Sequence, residues 1–208
     1  FQIDPATWDS IRTHASLLKR ISTERIREEF SRTITHPQRR RGIELLVDSG
    51  LMEQFLPEFL PTRGCEQPPQ FHPEGDVYVH TLIMLELLPP DASLELCLGV
   101  LFHDIGKPPT FEFDEAADRI RFNGHDRVGA EMAEEIMRRL RYSNANIEAV
   151  VALVAHHMQF MHVQQMRTAK LKRFMARPTF PDEIELHRVD CTSSHGMLDN
   201  IEFLDAKT

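Results

Sequence analysis

Nowhere in the 208 residues do about 18 apolar positions follow one another, because the longest apolar stretches are broken by His, Asp or Glu; a membrane-spanning helix is therefore excluded. Cysteine is scarce. Cys65, Cys97 and Cys191 are odd in number, widely scattered and without any Cys-x-x-Cys pairing, which argues against a disulfide framework and a thiolate zinc site and points to a reducing cytoplasm. Internal repeats and low-complexity segments are missing as well. So are an initiator Met and a signal-like segment: the chain starts at Phe1 and reads as a piece of something longer, or as one whose N-terminus is not shown.

What is present is ordinary in amount and uneven in placement. With 41% hydrophobic and 27% charged residues, a folded chain of one or two domains is expected. The net charge of −8 discourages nucleic-acid binding on average, but residues 1–41 hold nine Lys/Arg against five Asp/Glu while residues 42–208 hold fifteen against twenty-seven. The two ends have different tasks.

The spacing predicts helix almost throughout. From Pro5 to about Leu60, apolar residues recur at helical intervals: Trp8, Ile11, Ala15 and Leu18, then Ile26, Phe30 and Ile34 behind a Ser22 cap, then Gly42 to Val47 ending near Gly50. The Pro- and Gly-bearing stretch 61–70 reads as a connector, so the expected division is a helical segment 1–60, a connector 61–70 and a second helical domain 71–208. In the latter, helices are expected over Asp76–Leu88, Ala92–Ile105, Asp126–Leu140, Asn144–Met158, Ala169–Ala176 and Pro181–Ser194. Phe111-Glu-Phe and Arg119-Ile-Arg-Phe alternate around an acidic turn and predict a small hairpin. The fold class is all-α with one β insert.

Histidine carries the chemistry. His80 shares a helical face with Ile83, Met84 and Leu87, Asp104 with Cys97, Val100 and Leu101, His125 with Val128, Met132 and Ile136, and His157 with Val150, Leu153 and Val154. A carboxylate in such a stripe costs several kcal/mol if bare, so Asp104 must be paired, hydrogen-bonded or bound to a cation. A single buried His is ordinarily a hydrogen-bonded packing residue. The ordered set His80, His103-Asp104, His125, His156-His157 and Asp190 places a ligand type on nearly every helix of the second domain, which packing alone does not require. Lys107, Arg121 and Arg127 read first as surface or helix-end cations and second as contacts for a substrate phosphate. His14, His36, His72, His162, His187 and His195 fit no ligand pattern and read as surface or capping residues.

This pattern resembles the HD superfamily of metal-dependent phosphohydrolases, with Leu101-Phe-His-Asp-Ile-Gly-Lys-Pro matching its signature segment. The resemblance implies a first metal site of His80, His103, Asp104 and Asp190. It implies a second completed by His125 with one or both of His156 and His157, with Asp104 bridging and His103, Asp104 and Lys107 closest to the catalysis. Imidazole and carboxylate ligands suit one or two divalent ions among Mn, Ni, Co, Fe, Mg and Zn, and nothing selects a soft metal. Two such ions could acidify a water and neutralise phosphate oxygens.

The first segment resembles the neck of the bacterial tRNA nucleotidyltransferase and poly(A) polymerase family, through Ile3-Asp-Pro-Ala-Thr, Leu18-Lys-Arg-Ile-Ser-Thr-Glu-Arg-Ile-Arg-Glu-Glu-Phe and Gly42-Ile-Glu-Leu-Leu-Val-Asp-Ser-Gly-Leu-Met. Gly75-Asp-Val-Tyr-Val-His-Thr, Gly124-His-Asp-Arg-Val-Gly-Ala-Glu-Met-Ala, Arg139-Leu-Arg-Tyr-Ser-Asn and His187-Arg-Val-Asp-Cys-Thr-Ser-Ser-His-Gly continue it as the HD domain of such proteins. The family's nucleotidyl-transferring head, with its Gly-Ser loop and aspartate pair, has no counterpart in these residues. Three roles follow. The chain is expected to be a phosphohydrolase acting on a phosphomonoester, a small nucleotide or a 2′,3′-cyclic phosphodiester at an RNA or tRNA 3′ end. The alternatives are an RNA-gripping module, with Arg25, Arg39, Arg40 and Arg41 on phosphates, and a metal-stabilised structural module that self-associates, for instance as a homodimer.

Overall fold

The computed structural model describes residues 3–207. Helix α1 (Pro5–His14) opens with proline in its first turn, and the Asp4 carboxylate accepts the Thr7 N–H at 3.1 Å. The helix expected to run on through Leu18 tightens instead into a 3-10 turn over Ala15–Arg20 and stops at extended Ile21. Helix α2 (Thr23–Thr35) buries Phe30 and Ile34, and α3 (Arg39–Asp48) buries Arg39 and Ile43 before the left-handed Gly50, φ +76°, ends it. A short α4 (Met52–Phe55) and a 3-10 turn lead into the connector.

Asp76 starts the second half. One of its carboxylate oxygens caps α5 (Val77–Leu87) at Val79 N–H, 2.8 Å, and the other accepts the Gly64 N–H at 2.6 Å, tying the connector to the helix. Ser93 caps α6 (Leu94–Phe102), in which Leu96 to Phe102 are buried without interruption, so this helix is the centre of the domain. The hairpin forms as expected, β1 (Glu112–Asp114) antiparallel to β2 (Arg119–Arg121) with Phe113 opposite Ile120. Helices α7 (His125–Arg139) and α8 (Asn144–His156) follow. A 3-10 run over His157–Gln165 then leads to α9 (Thr168–Met175), α10 (Phe180–Ser193) and α11 (Asp199–Asp205). The all-α class with a hairpin insert is what the structure has, and no helix of the described residues is long and apolar enough to cross a membrane.

One hydrophobic core runs from Phe30, Ile34 and Ile43 of the first segment through Leu85, Leu98 and Phe102 to Ile136, Leu153 and Leu186. A smaller core of Phe160, Val163, Leu171, Phe174 and Leu204 sits under the last helices. The two halves are also joined by Arg39. Expected to face RNA phosphates, this residue is instead 1% exposed. Its guanidinium donates to the carbonyls of Leu88 (3.3 Å), Pro89 (3.1 Å) and Pro90 (3.3 Å), and its Nε to that of His36 (3.1 Å). The reason lies in Pro89-Pro90: α5 cannot continue through them, the carbonyls of its C-cap Leu88 and of the two prolines turn out of the helix, and the five-donor fork of an arginine reaches all three at once. Arg39→Ala empties a fully buried side-chain site and strips the buried Leu88 carbonyl of its guanidinium donor, and is expected to destabilise the fold by about 3 kcal/mol. Urea denaturation checks this, and a loss within about 0.5 kcal/mol, typical of a surface site, contradicts it.

Candidate metal centre

Three helix ends converge on one buried carboxylate. Asp104 lies in the turn that ends α6 and is 3% exposed. Its Oδ2 is 3.1 Å from His103 Nε2 and 2.7 Å from Lys107 Nζ, and its Oδ1 is 3.4 Å from His125 Nε2 and 3.7 Å from His157 Nε2. His125 is the first residue of α7, brought to this distance because Gly124 supplies a left-handed turn, φ +74°, and because Gly106 lets the α6 turn touch the start of α7. A Cβ on Gly106 would stand 2.1 Å from the His125 carbonyl oxygen. His80 on α5 places Nε2 3.1 Å from Asp190 Oδ1 on α10.

The imidazoles are turned alike. Nδ1 of His103 faces the Val100 carbonyl at 2.8 Å, that of His125 the Phe122 carbonyl at 2.8 Å, that of His157 the Val154 carbonyl at 2.7 Å, and that of His80 Glu74 Oε1 at 2.6 Å. A carbonyl or carboxylate can only accept, so each Nδ1 carries a proton and each Nε2 is turned inward, those of His125 and His157 standing 3.2 Å apart. Two of these atoms, His80 Nε2 and His103 Nε2, are buried with no aligned hydrogen-bond partner despite a carboxylate oxygen near each. Orphaned buried polar atoms of this kind are rare in folded proteins. Together with Asp190 they form one group whose ligand atoms lie within 4.8 Å of one another; Asp104, His125 and His157 form a second. Both fit a divalent cation.

The charges agree. Burial alone would raise the Asp104 carboxyl, but the His103 and Lys107 charges and hydrogen bonds from His103 and His125 hold it well below its ordinary value. Asp190, likewise opposed by burial, is lowered by His80. Burial pushes His157 down to about 4, keeping it a neutral donor, while the Asp190 and Glu74 carboxylates overcome burial at His80 and raise it to about 9.

Not every expected residue joins. His156 points away and pairs through Nδ1 with buried Glu183 at 3.1 Å, so of the two adjacent histidines only His157 reaches the group. Lys107 is no surface helix-end cation: it is 6% exposed and held between Asp104 and Gln67 Oε1, the latter at 2.6 Å. Arg121 pairs with Asp114 at 2.5 Å and Arg127 with Glu131 at 3.0 Å, in keeping with their first reading. His187 is a buried packing residue stacked on Phe160, and His72 reaches Glu74 Oε1 at 2.9 Å. Glu74 itself escaped the sequence reading. It lies in a loop before α5, where no helical periodicity marks it, and only its spacing six residues before His80 offered a signal.

In the first segment, Arg40 pairs with Glu44 (3.2 Å) and Glu86, Arg41 with Glu44 (3.7 Å), and Arg25 stands exposed beside the apolar side chains of Leu18, Ile21 and Phe30.

Two outcomes follow from this geometry. Glu74→Ala, which removes the acceptor on the loop side of the His80 ring, should weaken Mn binding about 10- to 100-fold by calorimetric titration, and unchanged affinity contradicts a role for Glu74 in orienting it. The raised His80 stabilises the metal-free fold fully below about 6.5, and that contribution is lost as pH rises through about 9. A cation competes with the same proton and binds more tightly over this interval. The gap in melting temperature between Mn-loaded and chelator-treated protein should therefore widen from pH 6.5 to pH 9, and a constant gap contradicts it.

Comparison with known proteins agrees with both halves. Residues 76–191 match the HD domain, and residues 1–62 match the probable RNA- and SrmB-binding site of polymerase A. The A-adding tRNA nucleotidyltransferase of Deinococcus radiodurans is 35% identical over 206 residues, 94% of this chain and 46% of that protein. The CC-adding tRNA nucleotidyltransferase of Thermus thermophilus is 36% identical over 177 residues, 84% of this chain and 40% of that protein. A multifunctional CCA protein of Halorhodospira halophila is 35% identical over 145 residues, 69% of this chain and 34% of that protein. The chain thus spans less than half the length of these relatives. With the match covering more than half of its residues and the His/Asp groups standing where that match lies, the chain belongs to the HD domain family, preceded by a polymerase-A-type RNA-binding segment.

Proposed function

We propose that this HD module is a metal-dependent phosphohydrolase acting on phosphomonoesters or on 2′,3′-cyclic phosphodiesters at RNA or tRNA 3′ ends, in the cytoplasm, within a protein related to the tRNA nucleotidyltransferases. The observation that carries the reading is the pair of orphaned Nε2 atoms on His80 and His103, beside a carboxylate that faces two further imidazoles. His80, His103, Asp104 and Asp190 would hold one divalent ion, and Asp104, His125 and His157 a second. Bound there, the ions supply Lewis acidity toward phosphate oxygens and water. The protein's own part is to aim four imidazoles by their Nδ1 bonds and to exclude solvent through the surrounding core. Lys107, 2.7 Å from the bridging carboxylate, adds the nearest fixed positive charge to the space a phosphate would take.

A second reading is favoured by the segment 1–62 and by the names of the relatives: the neck-like residues 1–60 grip RNA, with Arg25, Arg40 and Arg41 at the surface, while nucleotidyl transfer belongs to a head outside this chain. The two readings separate in one assay. Cytidine 2′,3′-cyclic phosphate and a phosphomonoester are offered to the chain with Mn, Ni, Co or Mg. Turnover that vanishes in Asp104→Ala supports hydrolysis. No turnover with any ion, or full turnover in the variant, overturns it.

A further inference from the structure

Between Glu148 and Asp182 the chain has no acidic residue, yet it carries Arg167, Lys170, Lys172, Arg173 and Arg177. In a chain of net charge −8, this stretch of 33 positions is a second basic region beside residues 1–41. Four of the five cations sit on or beside α9. Leu171 and Phe174 turn that helix's apolar face into the small core, leaving Arg167, Lys170, Lys172 and Arg173 exposed. Arg167, Lys170 and Arg173 follow one another at intervals of three and so rise along one side of the helix, about 5–6 Å apart.

These side chains are free. None of the four makes a hydrogen bond or ion pair among the described residues, whereas the arginines of the first segment are largely engaged: Arg32 with Glu29 at 3.1 Å, Arg40 with Glu44 at 3.2 Å, and Arg39 on carbonyls. The helix dipole accounts for only half of the four, Lys172 and Arg173 in the last turn. Arg167 and Lys170 stand at its N-terminal end, where the macrodipole favours anions, and its first turn holds no acid. Like charges so placed repel one another, a cost that a bound polyanion would relieve. The chain links α9 to the His/Asp centre: the 3-10 run leading to it begins at His157, and Arg177, just beyond α9, shares Glu183 (3.2 Å) with His156 (3.1 Å).

We infer that the exposed face of α9 is a second RNA-binding surface, on which Arg167, Lys170, Lys172 and Arg173 neutralise the phosphate backbone of a strand whose 3′ end lies toward the His/Asp centre. A membrane is disfavoured as occupant because the helix's apolar side is already buried and cannot insert. The identity of the polyanion rests on the RNA reading above; the accessibility and lack of partners do not.

The test is fluorescence anisotropy of a labelled RNA hairpin with a single-stranded 3′ tail, titrated with the 208-residue chain at several salt concentrations. The double variant Lys170→Glu/Arg173→Glu changes two exposed, unpartnered residues, and Lys170→Ala/Arg173→Ala replaces it if the reversed charges impair folding. The expected result is affinity at least about tenfold weaker, a log K against log salt slope shallower by roughly 2, and unchanged turnover of a small cyclic nucleotide. Wild-type-like affinity and slope overturn the proposal. So does a wild-type chain that ignores the RNA, including one that instead binds phosphatidylserine vesicles or polyglutamate. Absence of turnover in the wild type defeats only the hydrolase reading, since the RNA titration still decides this one.

Discussion

Burying the Asp104 carboxylate in an apolar interior without compensation would cost several kcal/mol, and the surrounding architecture is arranged around that demand. Asp104 ends α6, the helix most enclosed by its neighbours, and is met by His103 from its own turn, His125 from the start of α7, His157 from the end of α8 and Lys107 from the following turn. None of these groups reaches it alone. Each depends on a backbone feature: Gly106 for the approach of α7, Gly124 for its first turn, and the switch to 3-10 geometry after His156 for the turn of His157.

The outer ring of contacts turns this packing into a chemical device. Backbone carbonyls or Glu74 hold every Nδ1 and thereby commit every Nε2 to the interior. In the metal-free state, protons and Lys107 provide the positive charge that the carboxylates need; a divalent cation can take the protons' place, which ties its binding to pH. Arg39 extends the same economy of buried charge to the joint between the halves, fixing the end of the helix that bears His80 to the start of α3.

Much of this was legible in the sequence, because helical periodicity and an ionisable residue in an apolar stripe are both local signals. His80, Asp104, His125 and His157 announced themselves by lying where Leu or Val would otherwise stand, and they are all buried. Residues outside regular helix were harder to read. Glu74 and Gln67 act from loops, where side-chain direction follows no period, and α11 lies beyond the last helix expected. His156 and His157 differ by one position in a turn where α-helix gives way to 3-10, and that change decides which of them faces inward. Arg39 misled because an Arg-Arg-Arg run suggests a solvated face; only the carbonyls of Leu88 to Pro90 that its guanidinium reaches, some 50 residues on, explain its burial. The acid-free stretch around α9 was visible in composition but diluted by averaging charge over residues 42–208.

The account stands on the claim that the inward Nε2 atoms and the Asp104 and Asp190 carboxylates form a cation site. Anomalous diffraction from crystals of the chain grown with Mn tests this most directly. The account predicts anomalous density among His80, His103, Asp104 and Asp190, with or without a second peak beside His125 and His157, and none in Asp104→Ala crystals. A wild-type map without density there, or with ions bound only elsewhere, would contradict it.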